Sequence, residues 1–326
     1  MCNGKSLLMS ELRCHICGNS NENESFSARE MMYGFRDYFN YFQCSRCGCL
    51  QISEIPKDLS RYYPADYYSY HKNPEQDFFL LKISTLLRDK YAIGRKGLIG
   101  KVLNYFFPEE IIKLYSDLPS DSRILDIGCG SGKLPYRLKE CGFKNVTGTD
   151  PFNGKVINYK NGLTVYNGYL SEISGKWDVI TYHHSFEHIR DPLKELNLVS
   201  RLLTANGMCI IRIPTVDSYA WNYYKTDWVQ LDPPRHLFLY SLKSFKLLVD
   251  KTSLHLEKTV FDSTAIQFWG SEQYKKDIAL RDNRSYAISR SGSIFRRGEI
   301  KDYKKRSDEL NRNKAGDQVI FYLRNV

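Results

Sequence analysis

The stretch from Arg123 to Pro151, RILDIGCGSGKLPYRLKECGFKNVTGTDP, constrains this chain more than any other. An apolar run, Ile124-Leu125, leads to Asp126. Glycines follow at alternate positions, Gly128, Gly130 and Gly132, with Cys129 between the first two. Leu134, Leu138 and Cys141 then recur at helical spacing, and Gly142 is placed to end that helix. A second short strand, Asn145 to Thr149, finishes on Asp150 and Pro151. Strand, glycine turn, helix and strand, with an acid about twenty residues past the glycines, is the layout of a nucleotide-binding first half. Glycines let a ligand approach the main chain, and a carboxylate at the tip of the second strand can accept both hydrogen bonds of a ribose diol.

The spacing narrows the choice of nucleotide. A dinucleotide fingerprint counted from Gly128 needs glycine at position 133, where the chain has Lys133. The pattern is D-x-G-x-G-x-G instead. An acid two residues before the first glycine repels a pyrophosphate and suits a ligand carrying an ammonium and a sulfonium. On these residues the chain resembles the class I S-adenosylmethionine (SAM) dependent methyltransferases. The resemblance implies that Asp126, Gly128, Cys129, Gly130 and Gly132 line the methionine end of SAM, that Asp150 and Pro151 hold the ribose side, and that His183 also lies at the cofactor.

Towards the N-terminus, Cys14-His-Ile-Cys17 and Cys44-Ser-Arg-Cys47 are each followed by glycine, with 26 residues between the pairs. Two C-x2-C knuckles at this spacing predict a four-thiolate zinc site on Cys14, Cys17, Cys44 and Cys47. Because the protein supplies all four ligands, the expected Zn2+ is structural. Cys49 and His15 lie beside the ligands.

Strand and helix signals then alternate through the second half. Strands are expected at residues 163–165, 177–181, 208–213, 254–261 and 319–323. Asp191 and Pro192 start a helix to Leu203, Ser241 caps another to about Val249, and the turn Asn206-Gly207 precedes the fifth strand. Alternation of this kind means a mostly parallel sheet covered on both faces. The expected fold is α/β: a seven-stranded Rossmann-like methyltransferase sheet, a small N-terminal zinc-binding module and a helical insertion before the last strand. In the methyltransferases resembled here that last strand is antiparallel. The expected division is a zinc-binding module over 1–60, a Tyr-rich loop and connecting helices over 61–118, and a SAM-dependent methyltransferase domain over 119–326. The insertion occupies about 268–315, with a helix from Asp302 to Asn313.

The segment after the fourth strand, Tyr182 to Pro192, carries three histidines in a row of six residues. Ligands of open α/β sheets sit at the carboxyl ends of the strands, so this segment faces the cofactor. The family resemblance extends to Glu187, His188, Asp191 and Pro192, and implies that His184 points at the methyl group while Glu187 and His188 brace the loop. Further on, Trp228 to Leu237 holds Asp232-Pro-Pro-Arg235-His236, similar to loops of methyltransferases that tailor sugars and surface polysaccharides. The candidate catalytic residues are therefore His184 first, His236 and His188. A histidine is the natural base for a sugar hydroxyl near neutral pH.

Composition adds limits. The net charge is +10, and residues 271–326 hold 14 Lys/Arg against 8 Asp/Glu. A basic end of this kind is compatible with nucleic acid. No apolar run approaches the roughly 20 residues of a membrane span. An odd count of 9 cysteines, with four at metal spacing, fits a reducing cytoplasm. The expected activity is methyl transfer from SAM to a small molecule, a sugar, nucleotide-sugar or glycan precursor, at oxygen or at carbon of a deoxysugar nucleotide. The competing readings are an RNA methyltransferase that grips through the zinc module and basic end, and a SAM-binding interaction protein without turnover. The sequence leaves the oligomeric state open.

Overall fold

The computed structural model describes residues 12–64 and 73–325, so most of the tyrosine-rich stretch expected to be a loop lies outside the described residues. Three antiparallel strands come first, β1 (Glu24–Arg29), β2 (Tyr38–Gln43) and β3 (Leu50–Ile52). Three helices follow, α1 (Phe79–Ala92), α2 (Leu98–Phe106) and the single turn α3 (Glu110–Lys113). Their apolar stripes only partly face inward, since Phe79, Leu80, Val102 and Phe106 are exposed.

The second half alternates as β4 (Arg123–Ile127), α4 (Lys133–Glu140), β5 (Asn145–Thr149), β6 (Ile157–Asn158), β7 (Thr164–Tyr166), β8 (Trp177–His183), α5 (Pro192–Leu202) and β9 (Leu203–Pro214). It continues through α6 (Tyr219–Tyr224), β10 (Phe238–Leu239), α7 (Leu242–Val249), β11 (Leu254–Phe261), α8 (Ile266–Lys275), α9 (Arg297–Arg312) and β12 (Gln318–Asn325). The large sheet has the order β11-β12-β9-β8-β4-β5-β7-β6. Strands β7, β5, β4, β8 and β9 run parallel, and β12 is antiparallel to both its neighbours. Strand β4 has β5 on one side and β8 on the other, so the chain reverses its direction of winding there. That switch point opens a crevice at the carboxyl ends of β4, β5 and β8.

The sheet has eight strands, not the expected seven. The extra one, β6, pairs antiparallel with β7 at the edge through Ile157 and Asn158, and two residues give no alternation from which a strand can be read. The turn expected at Asn206-Gly207 is absorbed into β9. Pairing with β8 jumps from Trp177↔Leu203 to Val179↔Met208, so residues 204–207 form a bulge. Helix caps follow the sequence closely. The Asp191 side chain accepts from Lys194 N at 3.0 Å and Pro192 occupies the first helical position. The Ser241 and Ser244 side chains cap α7 reciprocally. Helix α9 starts at Arg297, five residues before the expected Asp302. Its cap is Glu299, which accepts from Arg296 N at 2.8 Å, whereas no Ser, Thr, Asp or Asn marks the start. Between α8 and α9 the insertion is turns rather than helix.

The small sheet is not made by the N-terminal segment alone. Strand β10, just past the Pro-Pro loop, pairs antiparallel with β3 through Leu239↔Leu50 and Phe238↔Gln51, giving the order β1-β2-β3-β10. One buried cluster runs from Cys14 and Leu50 through Trp221 and Phe238 to Leu125 and Phe321. Inside it lies a wholly buried guanidinium. Arg235 donates to Asp232 Oδ2 at 2.9 Å and Oδ1 at 2.5 Å, to Glu30 Oε1 at 2.8 Å and to the Tyr62 carbonyl at 3.1 Å. Glu30 also accepts from the Tyr33 and Phe35 amides. Among the described residues no helix is long and apolar enough to cross a membrane.

Removing one partner from a buried ion network leaves the others uncompensated. Arg235→Ala is therefore expected to destabilise the protein by about 3–5 kcal/mol, read by chemical denaturation. A loss below about 1 kcal/mol would show that the network is solvated.

Candidate functional site

The glycine turn between β4 and α4 is held by main chain and by one acid. Gly128 N donates to the Thr149 carbonyl at 2.8 Å, and Gly130 N donates to Asp150 Oδ2 at 2.8 Å. Asp150 Oδ1 accepts from Phe152 N at 2.9 Å. Each oxygen keeps a second acceptor position, and burial raises this carboxyl above its ordinary range. Gly128 and Gly132 have φ of +68° and +83°. A Cβ on Gly128 would lie 2.5 Å from Ser185 Cβ, and one on Gly132 2.5 Å from Val165 Cγ2. The glycines thus admit the β8 loop and β7 as well as the turn conformation. Cys129 is half-buried and its thiol is pushed up by burial; Pro151 is half-buried beside the turn.

Asp126 lies buried at the end of β4 and accepts from Thr181 Oγ1 at 2.8 Å. Burial pushes its carboxyl up to about 7. His183, the last residue of β8, contacts Tyr115 Oη through Nε2 at 3.0 Å, while Nδ1 finds no partner among the described residues. Burial first, then Arg212 and His184, lower this imidazole to about 3, so it is neutral. The structure therefore gathers Asp126, Gly128, Cys129, Gly130, Gly132, Asp150, Pro151 and His183 at one crevice.

The loop after β8 turns inward onto a buried carboxylate. Glu187 is 0% exposed, and neither oxygen has a hydrogen-bond partner among the described residues. Three imidazoles surround it. His184 Nδ1 is 3.5 Å and His236 Nε2 3.7 Å from Oε1, and the His188 ring meets the His236 ring edge-on at 4.9 Å between centroids. Burial works to raise the Glu187 carboxyl, but His184 and the other two histidines hold it down to about 2.

Each histidine is fixed at its other nitrogen. His184, at φ +53°, faces Arg212 Nη1 through Nε2 at 3.0 Å. A guanidinium only donates, so this nitrogen accepts and its lone pair is occupied. Arg212 is itself paired with Asp262. His188 Nδ1 is 2.7 Å from the Arg235 carbonyl and 3.3 Å from Tyr63 Oη. His236 Nδ1 is 2.7 Å from the Gln230 carbonyl. Carbonyls only accept, so both Nδ1 atoms carry hydrogen, and a neutral ring held this way has its lone pair on Nε2. Tyr63 also stacks on Phe152 at 5.5 Å, which joins this cluster to the Asp150 side of the crevice. Arg235, next to His236 on the same loop, is sealed in the core.

Arg212, Tyr115 and Tyr63 escape sequence reading. The one available signal is the charge of Arg212 inside the apolar run Ile210-Ile-Arg-Ile213, since a buried strand tolerates such a side chain only with partners. Tyr115 and Tyr63 reach the site from connecting segments by tertiary contact alone.

The four cysteines meet as the spacing requires. Cys14 Sγ lies 3.6 Å from Cys47 Sγ, Cys17 Sγ 3.5 Å from Cys44 Sγ, and all four sulfurs lie within 4.8 Å of one another. Tetrahedral zinc at about 2.3 Å from sulfur gives edges of about 3.8 Å. The knuckles match: Gly18 N donates to Cys14 O at 2.9 Å and Gly48 N to Cys44 O at 2.8 Å. Gln51 Nε2 donates to Cys14 Sγ at 3.2 Å. Cys49 and His15 stay outside the cluster.

A family model described as a methyltransferase domain matches residues 93–259, just over half of the chain. The chain belongs to the methyltransferase-domain family. Over 210 residues, 58% of this chain and 84% of the relative, it is 27% identical to the ubiquinone biosynthesis O-methyltransferase of Rickettsia bellii (strain OSU 85-389). Over 101 residues it is 35% identical to the ubiquinone biosynthesis O-methyltransferase of Colwellia psychrerythraea, of whose length the chain spans only 40% and which aligns with 27% of this chain. Among solved structures, the SAH-bound magnesium protoporphyrin IX methyltransferase of Synechocystis PCC 6803 superposes with a TM-score of 0.42 at 13% identity, covering 82% of this chain and 97% of that one. The chain is a SAM-dependent methyltransferase, and two buried acids beside a glycine turn suit a cationic ligand.

Because Ser185 occupies the space a Cβ would need, Gly128→Ala combines backbone strain with overlap. We expect a loss of about 2–3 kcal/mol, about 1 kcal/mol of it recovered in the double variant with Ser185→Gly, which removes the overlap and leaves the strain. Denaturation of the three variants checks this; no recovery in the double variant would refute the packing.

Proposed function

We propose that the protein transfers the methyl group of SAM to a hydroxyl oxygen of a small-molecule acceptor. The observation that carries this reading is the junction at the switch point: Ser185 packs on the glycine turn, and the histidine ring around Glu187 lies directly beyond it. In this reading Asp150 accepts from the ribose hydroxyls through the lone pairs that Gly130 and Phe152 leave open. Asp126 faces the cationic methionine end. The acceptor sits against His188 and His236. The names of the Rickettsia and Colwellia relatives favour oxygen as the atom methylated. The similarity of the 228–237 loop to sugar-tailoring enzymes favours a sugar or glycan precursor.

The chemistry is an in-line displacement. The acceptor oxygen attacks the methyl carbon, the O–C bond forms as the S–C bond breaks, and the sulfonium leaves as a neutral thioether. Alignment supplies much of the rate. The hydroxyl proton needs an acceptor, and the base role moves from His184 to His188 and His236. Arg212 occupies the His184 lone pair, which makes that residue a brace; the Nε2 lone pairs of the other two are not committed to main chain.

Two measurements bear on this reading. Asp150→Ala is expected to weaken SAM binding by about 1–3 kcal/mol, roughly tenfold or more by calorimetry, and wild-type affinity would remove Asp150 from the cofactor site. His188→Ala and His236→Ala are each expected to lower kcat by roughly 10²–10⁴ with SAM affinity nearly unchanged. The assay follows SAH release against a panel of deoxysugar nucleotides and other hydroxylated acceptors. Full turnover in both variants would end the histidine assignment.

We further propose that Cys14, Cys17, Cys44 and Cys47 hold one structural Zn2+. Four thiolates close the coordination sphere, so the ion stabilises the fold instead of taking part in turnover. Cys14→Ser should lower zinc content by one per chain and depress the melting temperature. Unchanged zinc and melting would exclude the site.

A further inference from the structure

The geometry points to a second metal site, formed by Glu187, His188 and His236, that takes a divalent first-row transition ion at the face where the acceptor binds. One ligand atom from each of the three residues lies within 4.8 Å of the others. Glu187 comes from the loop after β8 and His236 from the Pro-Pro loop, so the set is assembled by tertiary contact. Two imidazoles and a carboxylate suit such an ion, and three protein ligands leave positions open.

The hydrogen-bond geometry argues for a cation here. The main-chain carbonyls of Gln230 and Arg235 fix hydrogen on Nδ1 of His236 and His188, at 2.7 Å in each case. The Nε2 lone pair of His236 consequently faces the Glu187 carboxylate at 3.7 Å, and Asp232 Oδ2 stands 3.8 Å from the same nitrogen. Acceptor faces acceptor. A shared proton does not resolve this, because 3.7 Å exceeds a hydrogen bond. His184 Nδ1, at 3.5 Å, is also too far to satisfy Glu187. A carboxylate that is 0% exposed and has both oxygens unbonded among the described residues is costly unless a cation pairs with it. A hydrogen bond from Nδ1 to a carbonyl is also the arrangement that orients an imidazole towards a metal.

The metal assignment stands on this geometry. Its use rests on the methyl-transfer reading and takes the place of the histidine bases there: with both rings on the ion, the metal would polarise the acceptor hydroxyl and favour loss of its proton to solvent. The ion would be distinct from the zinc of the four cysteines, because its ligands are nitrogen and oxygen.

The test uses the full chain with its thiolate site loaded with zinc. Co2+ or Mn2+ is titrated in after treatment with a mild chelator, and uptake is followed by absorption or by electron paramagnetic resonance. The expected result is one ion per chain, with weak Co2+ bands that lack thiolate charge transfer. Affinity should fall roughly 10–100-fold or more in His236→Gln and in the half-buried His188→Gln. Wild-type protein that binds SAM yet takes up no more ion than His236→Gln overturns the proposal, whatever the variants do to folding. Calorimetry with SAM separates the two readings. Ion uptake without SAM binding would keep the metal site and refute methyl transfer, and SAM binding without ion uptake would do the reverse.

Discussion

The buried guanidinium of Arg235 is the contact on which the site depends. It binds Glu30 just past β1 and Asp232 of the Pro-Pro loop, and so fastens the end of β1 to the loop that leads into β10. Burial works to raise the Asp232 carboxyl, yet Arg235 holds it below its usual range. The same residue turns its carbonyl to His188, and its chain neighbour is His236. Two of the three imidazoles around Glu187 are thus positioned by one side chain that never reaches solvent. A hydrophobic replacement could fill the space, but it could not neutralise the two acids that Arg235 joins.

Two buried carboxylates show how environment divides similar groups. Asp126 has a threonine hydroxyl as partner, and burial prevails, taking it up to about 7. Glu187 is equally buried but ringed by imidazoles, which take it down to about 2. Asp126 is therefore an acid that a bound cation would hold ionised, whereas the histidines around Glu187 favour its ionised form. The crevice carries negative charge on both sides of the β4–β8 seam, in a chain whose net charge is +10.

The small sheet makes the thiolate cluster part of this arrangement. Gln51 on β3 touches both sides of it, donating to Cys14 Sγ and accepting from His15 N. It also pairs with Phe238 on β10. Ser241, at the cap of α7, donates to the Cys47 carbonyl at 2.5 Å. Through β3 and two residues of β10 the cysteine cluster is thus joined by hydrogen bonds to the loop that carries His236.

Local chemistry made much of this legible in the sequence. Strand β5 runs from Asn145 to Thr149 as expected, α5 starts on Asp191-Pro192, and α7 on Ser241, because caps and periodicity act over a few residues. The D-x-G-x-G-x-G turn and the paired C-x2-C knuckles are equally local, and their spacing dictates their geometry. The two-residue β6 carries no pattern, and the Asn206-Gly207 turn signal became a bulge because β9 pairs with β8 on both sides of it, at Leu203 and from Met208 on. The contacts of the histidine rings were decided by tertiary structure. His184 looked best placed by its distance from the strand end, but Arg212 claims its lone pair. His188 and His236 are 48 positions apart in the chain, and tertiary contacts such as Leu237 N to the Glu187 carbonyl at 2.9 Å bring them together. Sequence spacing determines which groups can turn towards a crevice. Which nitrogen of each ring stays free depends on a carbonyl or guanidinium supplied by a distant segment.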